Sequence, residues 1–277
     1  MENIISPEVI YKGVLNGDLN KNFAIDKLIL LIESSDNPSI RSQSIETINK
    51  LNLRETNIFK VLESSLLSDE NPFVRNSAAK LICKDYLSSG LNSLIWTVQH
   101  EKSPLALKTI HEYAHHLRSR EFSELIRELD NRLVAISNKV GIIPQESKFI
   151  LDLESIFTQG DELYELELES YSFFKNLVDH KLKEFWLTIS NFHIESLSFN
   201  YYNWKYLKDN PGKFNSIAKL NDPNVYFNQF RKLNYIDNLH IEIPQSINLL
   251  TNLKKLNIRH NYIKKLPESL FHMKSLQ

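Results

Sequence analysis

The stretch Leu253-x-x-Leu256-x-Ile258-x-x-Asn261-x-Ile263-x-x-Leu266-Pro267-x-x-Leu270-x-x-Met273-x-x-Leu276 decides how this chain is read. Its first part alternates apolar and polar residues, the period of a half-buried strand, and Pro267 opens a second part with apolar residues three apart. The same layout stands 23 residues earlier, in Phe230, Leu233, Tyr235, Asn238, His240, Ile243, Pro244, Ile247, Leu250 and Leu253. A layout repeated at a fixed offset is one structural unit used twice, and each copy hides its apolar edge against its neighbour.

Upstream, the strand period continues in three looser units: Leu163, Leu166, Leu168, Tyr171 and Phe173; Leu182, Phe185, Leu187, Ser190 and Phe192; and Ile194, Leu197, Phe199, Tyr202 and Trp204. Tyr or Ser stands where the later units carry Asn, the last two units lie too close for two full coils, and 207–229 fits no coil. The regular part resembles leucine-rich repeats, whose signature is L-x-x-L-x-L-x-x-N-x-L. That resemblance implies a solenoid with a parallel β-sheet on its concave face, in which Asn238 and Asn261 bond the backbone of adjacent coils. The chain stops at Leu276-Gln277, the opening of a further coil with no capping segment, so the pattern predicts a longer protein.

Toward the N-terminus the apolar period changes to that of helices. Asp36-Asn37-Pro38-Ser39-Ile40-Arg41-Ser42-Gln43-Ser44-Ile45 is echoed 34 residues later by Glu70-Asn71-Pro72-Phe73-Val74-Arg75-Asn76-Ser77-Ala78-Ala79. Pro38 and Pro72 are suited to a first helical turn, where the missing N–H has no intrahelical partner anyway. Amphipathic helices precede both, over 23–33 with Ile25, Leu28, Ile29 and Ile32 inward, and over 57–67 with Ile58, Val61, Leu62 and Leu66 inward. A third pair is expected over 91–99 and 104–117, and a capping helix over 6–15.

These pairs resemble HEAT-like repeats, whose second helix commonly starts with D-x-x-x-V-R. Asp36, Ile40 and Arg41, then Asp69, Val74 and Arg75, follow that start approximately. The 34-residue offset is also the tetratricopeptide length, but the Trp, Gly and Tyr landmarks of that family are missing. An irregular helical bundle is the plainer alternative. Two further helices are expected over 121–137 and 145–157, separated by Gly141 and Pro144. The expected fold is therefore an α + α/β solenoid: a HEAT-like α-α superhelix over residues 1–140, then a leucine-rich-repeat domain over 141–277, irregular to about 229 and regular over 230–277.

Composition narrows the function. With 33 Lys plus Arg against 34 Asp plus Glu, the chain offers no global attraction for nucleic acid or an anionic membrane. Cys83 is the only cysteine, which excludes an internal disulfide and suits the expected cytoplasmic setting; residues 1–7 show no basic region followed by an apolar run, and no stretch approaches the length that spans a bilayer. Six glycines leave no material for a phosphate-cradling loop, and no cofactor is expected.

His111-Glu112-Tyr113-Ala114-His115 is a literal H-E-x-x-H and resembles the zincin motif, with Glu121, Glu124 or Glu128 as the only nearby third ligands. It sits in the second helix of a repeat pair, without the sheet edge that binds an extended substrate, so a solvated helix face is the preferred reading. The favoured function is a non-enzymatic scaffold for other proteins. Its expected contacts are strand residues pointing away from the leucine-rich core: Glu165, Glu167, Trp186, Ser196, Ser198, Tyr201, Lys232, Asn234, Lys255, Asn257, Arg259 and His260. Acidic residues at one end and basic ones at the other suit a polarised partner, with the aromatics as anchors; an ordinary solvated strand face is the alternative. A zinc hydrolase at 111–115 and a regulatory segment of a larger signalling protein are the other readings carried forward.

Overall fold

The computed structural model describes residues 6–159, 186–198, 242–258, 263 and 265–277. The described residues are mostly helical, with a small open sheet. The helices are α1 (Pro7–Leu15), α2 (Lys21–Ser34), α3 (Pro38–Lys50), α4 (Thr56–Ser68), α5 (Pro72–Asp85), α6 (Leu91–His100), α7 (Pro104–Ala114), α8 (Ser123–Val140) and α9 (Pro144–Gln159). The strands are β1 (Trp186–Ser190), β2 (His193–Ser198) and β3 (Lys255–Asn257). Two compact units result, one running to Leu129 and the other from Asp130 onward, with the division inside α8.

In the first unit the helices start where local chemistry says they should. Pro opens α1, α3, α5 and α7, and Asn20, Asn37, Asn71 and Ser103 each accept a backbone N–H from the first turn they precede. The helices then pair, α2 with α3, α4 with α5 and α6 with α7. Pairs stack like on like: α2 packs on α4 and α4 on α6, while α3 packs on α5 and α5 on α7. One continuous core follows, in which Leu28, Ile45, Ile48, Ile58 and Leu62 are fully enclosed. At roughly 1.5–3 kcal/mol for each such side chain, this burial outweighs any single cap or ion pair. Ile29, expected inward, is half-buried. The expected helix over 104–117 ends at Ala114, because a turn from the Leu117 N–H to the Ala114 carbonyl (2.9 Å) folds Leu117 back onto the core.

In the second unit α9 is buried along most of its length, through Phe149, Ile150, Leu151 and Leu153. The sheet order is β1-β2-β3. The patterns over 182–192 and 194–204, too close for two full coils, form a hairpin in their described part: β1 and β2 are antiparallel, with Leu187 opposite Leu197. The reason is the two-residue turn Asn191-Phe192, whose φ values of 50° and 64° reverse the chain with the twist a hairpin needs. A parallel neighbour would require a crossover of about a dozen residues or more. β2 and β3 are parallel, with Leu197 opposite Leu256. They are direct neighbours, where a one-strand-per-coil ladder would set the strand of the 230–253 unit between them. The roles expected for Asn238 and Asn261 fall outside the described residues.

The 23-residue recurrence is visible in the described backbone. Pro244 and Pro267 hold nearly the same conformation (φ −64°, ψ 144° and φ −65°, ψ 141°), and each opens a 3₁₀ turn, Gln245–Leu249 and Glu268–His272. The bonds Ile247 N–H to Pro244 O (3.0 Å) and Leu250 N–H to Ile247 O (3.0 Å) recur as Leu270 N–H to Pro267 O (3.0 Å) and Met273 N–H to Leu270 O (3.3 Å). The two turns pack together, with Ile247 and Leu270 buried. A backbone ladder runs in the same direction: the Lys254 N–H donates to Glu195 O (2.7 Å), and the Gln277 N–H donates to Lys254 O (3.0 Å).

Candidate interaction site

The strand residues expected to meet a partner divide three ways. Glu165, Glu167, Tyr201, Lys232, Asn234, Arg259 and His260 lie outside the described residues. Trp186 opens β1 and Asn257 closes β3, and the register sets both in one row across the sheet with Ser198 between them. Lys255 is exposed and Asn257 half-buried. Ser196 and Ser198, expected to face outward, are instead 8% and 0% exposed, which corrects their assignment to a binding face. Alternation along a strand assigns residues to two faces, but whether a face meets water depends on what packs over it.

Among the described residues the H-E-x-x-H side chains are not joined by a third ligand. Helix α7 ends at Ala114, so His115 is its cap residue, and Glu112 lies 3.8 Å from the Lys108 ammonium. The His111 and His115 ring centroids are 6.5 Å apart. Among the described residues no group of three or more His, Cys, Asp or Glu side chains is placed to hold a metal. Cys83 is buried, and burial pushes its thiol up to about 12, far from the thiolate that a nucleophile or ligand requires. Among the described residues no helix is long and apolar enough to cross a membrane.

A site that sequence reasoning missed lies in the first unit, where α2 and α4 end side by side. A groove of about 600 Å³ opens there, lined by Glu33, Ser34, Ser35, Asp36, Arg41, Ser64, Ser65, Ser68, Asp69 and Glu70 over a floor of Ile32 and Val61. Arg41 forms its wall. Its Nε and Nη2 donate to the two Asp69 oxygens, each at 2.8 Å, and its Nη1 donates to Ser35 O at 2.9 Å. The Asp69 carboxylate and the neighbouring charges of Glu70 and Asp36 hold the guanidinium above its ordinary pKa, against its partial burial.

The same fork recurs one pair further on. Arg75 donates from Nε and Nη2 to Glu101 (2.7 and 2.8 Å), and from Nη1 to the Asp69 and Glu70 carbonyls (both 2.8 Å). Each carboxylate also caps the chain ahead of it, Asp69 accepting the Asn71 N–H and Glu101 the Ser103 N–H. Bidentate geometry makes these the strong kind of ion pair. The third helix pair has Leu107 at the equivalent position, three residues after its proline, so the series ends there. The signal was legible in part: Asp36-Asn37-Pro38 and Asp69-Glu70-Asn71-Pro72 place acids straight after helix ends, but not which arginine answers them.

A second polar cluster sits in the other unit. Glu146, fully buried in the first turn of α9, accepts from the Ile194 N–H (2.8 Å) and lies 2.9 Å from His193 Nδ1, while the Ile143 N–H donates to Phe192 O (2.8 Å). These bonds pin the β1–β2 turn to the start of α9, so the cluster reads as structural. Comparison with protein-family models, curated proteins and solved structures finds no match to this chain.

Proposed function

We propose that this chain is a non-enzymatic interaction scaffold in which HEAT-like helix pairs are followed by leucine-rich-repeat-like coils that present surfaces to other proteins. The observation that carries this reading is recurrence. The Arg41–Asp69 fork returns as Arg75–Glu101, and the Pro244 turn returns as the Pro267 turn at the 23-residue offset. Units built alike and stacked on their neighbours lengthen a surface without creating a closed pocket, a geometry that suits extended protein partners.

The test is photo-cross-linking of the full chain from position 257, repeated with charge reversal at Lys255. The expected result is a discrete set of cross-linked proteins lost in Lys255→Glu. Cross-links unchanged by that substitution would remove β3 from the binding face. Stoichiometric zinc in the purified protein, lost on His115→Ala, would replace the scaffold with a hydrolase.

A further inference from the structure

We infer that the β1–β2 turn is a docking point at which the Phe192 ring enters an apolar pocket of a partner protein. This inference deepens the scaffold reading and rests on it.

The turn carries a residue that its own backbone disfavours. Ser190 pairs with His193, so Asn191 and Phe192 form a two-residue hairpin loop, with φ of 50° and 64°. A loop with positive φ at both positions favours Asn or Asp first and Gly second, because in the left-handed region a Cβ crowds the following carbonyl. Asn191 meets that demand and Phe192 does not. The other non-glycine residue with positive φ among the described residues is Asn52, of a type that tolerates the region; a bulky aromatic is a true outlier there.

Packing does not offset this strain. Phe192 is 70% exposed, against 0% for Phe149 in the same unit. A ring that folding leaves in water contributes little burial energy, so Gly would serve the fold better at this position. Strain held without local return is the mark of a residue kept for what it meets.

The turn is also fastened. The Phe192 carbonyl accepts the Ile143 N–H at 2.8 Å, His193 Nδ1 lies 2.9 Å from Glu146 Oε1, and the Ile194 N–H donates to Glu146 Oε2 at 2.8 Å. Three bonds from three consecutive residues fix the backbone from which the ring projects. An anchor ordered before contact loses less freedom on binding.

The surroundings select a protein as the partner. Half-buried Ile143 and Pro144 lie against the turn, and exposed Gln145, Ser190 and Asn191 add neutral amides and a hydroxyl. An apolar centre with an adaptable polar rim is the make-up of a protein interface. A bilayer fits less well, since stable attachment through one apolar group calls for a basic cluster, and neither 141–147 nor 186–194 contains Lys or Arg. The turn stands at the far end of the β1–β2 pair from Trp186 and Ser198, which separates it from the row that reaches Asn257.

The experiment places a benzophenone photo-cross-linker at position 192 of the full chain, in a lysate of the source cells. The cross-linked protein is identified by mass spectrometry, purified and titrated against native and variant chains. The expected cross-link is competed by excess native chain but not by Phe192→Ala. The purified partner should bind Phe192→Ala and Phe192→Gly about tenfold or more weakly, and Phe192→Tyr within about threefold of the native chain. Thermal unfolding gives a readout independent of the partner. Phe192→Gly should raise the midpoint by about 2–4 °C by relieving the turn, whereas Phe192→Ala, which keeps the Cβ, should stay within about 2 °C of native. A midpoint lowered in both variants would make the ring part of the packing and overturn the inference. So would the absence of a cross-link competed by native chain, or a purified protein that binds Phe192→Ala as tightly as native. Self-association in sedimentation velocity, or flotation with phosphatidylcholine vesicles, that is lost in Phe192→Ala would replace the partner protein with a second copy or a lipid. Any of these results with cross-links from position 257 still lost in Lys255→Glu fells the docking point alone. Phe192-dependent binding with those cross-links unchanged by Lys255→Glu fells the β3 surface alone.

Discussion

Glu146 shows what burial does to a single carboxylate. Desolvation holds its carboxyl above the ordinary range, opposed by the Ile194 N–H and by His193, which pull it down. Between the ordinary value and the raised one, the folded protein binds this proton more tightly than the unfolded chain does. The stability it contributes is therefore fully present below the ordinary carboxylate range and is lost as pH rises through the raised value. Glu154, also buried, is raised well above its ordinary value by desolvation, with Lys139 opposing, and acts in the same direction. Glu146→Gln retains an acceptor for the Ile194 N–H but no longer titrates. Urea midpoints of the native protein should fall as pH rises above the ordinary carboxylate range of about 4, and the fall should be shallower in the variant. A slope unchanged by the substitution would mean that Glu146 titrates normally. Nothing in the sequence marks Glu146 as buried; it stands in a helix first turn, where a solvated acid is the ordinary expectation.

Among elements, the joint between one helix pair and the next is the Arg41–Asp69 fork. Arg41 is 8% exposed, and its partner comes from the turn between α4 and α5 rather than from its own pair. Removing Asp69 strands a buried cation and uncaps the Asn71 N–H. Asp69→Ala should therefore cost about 3–5 kcal/mol by urea unfolding. Replacing both partners with apolar residues of similar volume should recover most of that loss, because no lone charge then remains in the interior. A single variant within about 0.5 kcal/mol of the native protein would show the fork to be ornamental. The helix starts of this region were legible because proline and an asparagine cap act within one turn. The fork was not, since Arg41 and Asp69 stand 28 residues apart and meet only once α4 is packed.

For the whole molecule, the first unit's core reaches past the last helix pair into α8. Leu125 and Leu129 belong to the same buried cluster as Leu62 and Ile82. A fragment of residues 1–140 should thus unfold cooperatively with a helical circular-dichroism spectrum. Ending it at Leu117 removes both leucines and should lower stability by about 3–6 kcal/mol, the worth of two buried leucine side chains. Equal midpoints for the two fragments would detach α8 from that core.

By itself the sequence determined what short-range chemistry can express: the helix starts at Pro38, Pro72 and Pro104, the inward faces of α2 and α4, and the 23-residue recurrence that sets Pro244 and Pro267 in like positions. Each depends on residues within a few positions of one another or on a fixed offset, so composition and spacing suffice. Tertiary structure alone decided that β1 turns back on β2, that β2 lies beside β3, that Ser196 and Ser198 are covered, and that two helix ends enclose an acidic groove. Strand direction, burial and charge convergence arise from which distant segments pack together, and a one-dimensional period carries no record of its neighbours.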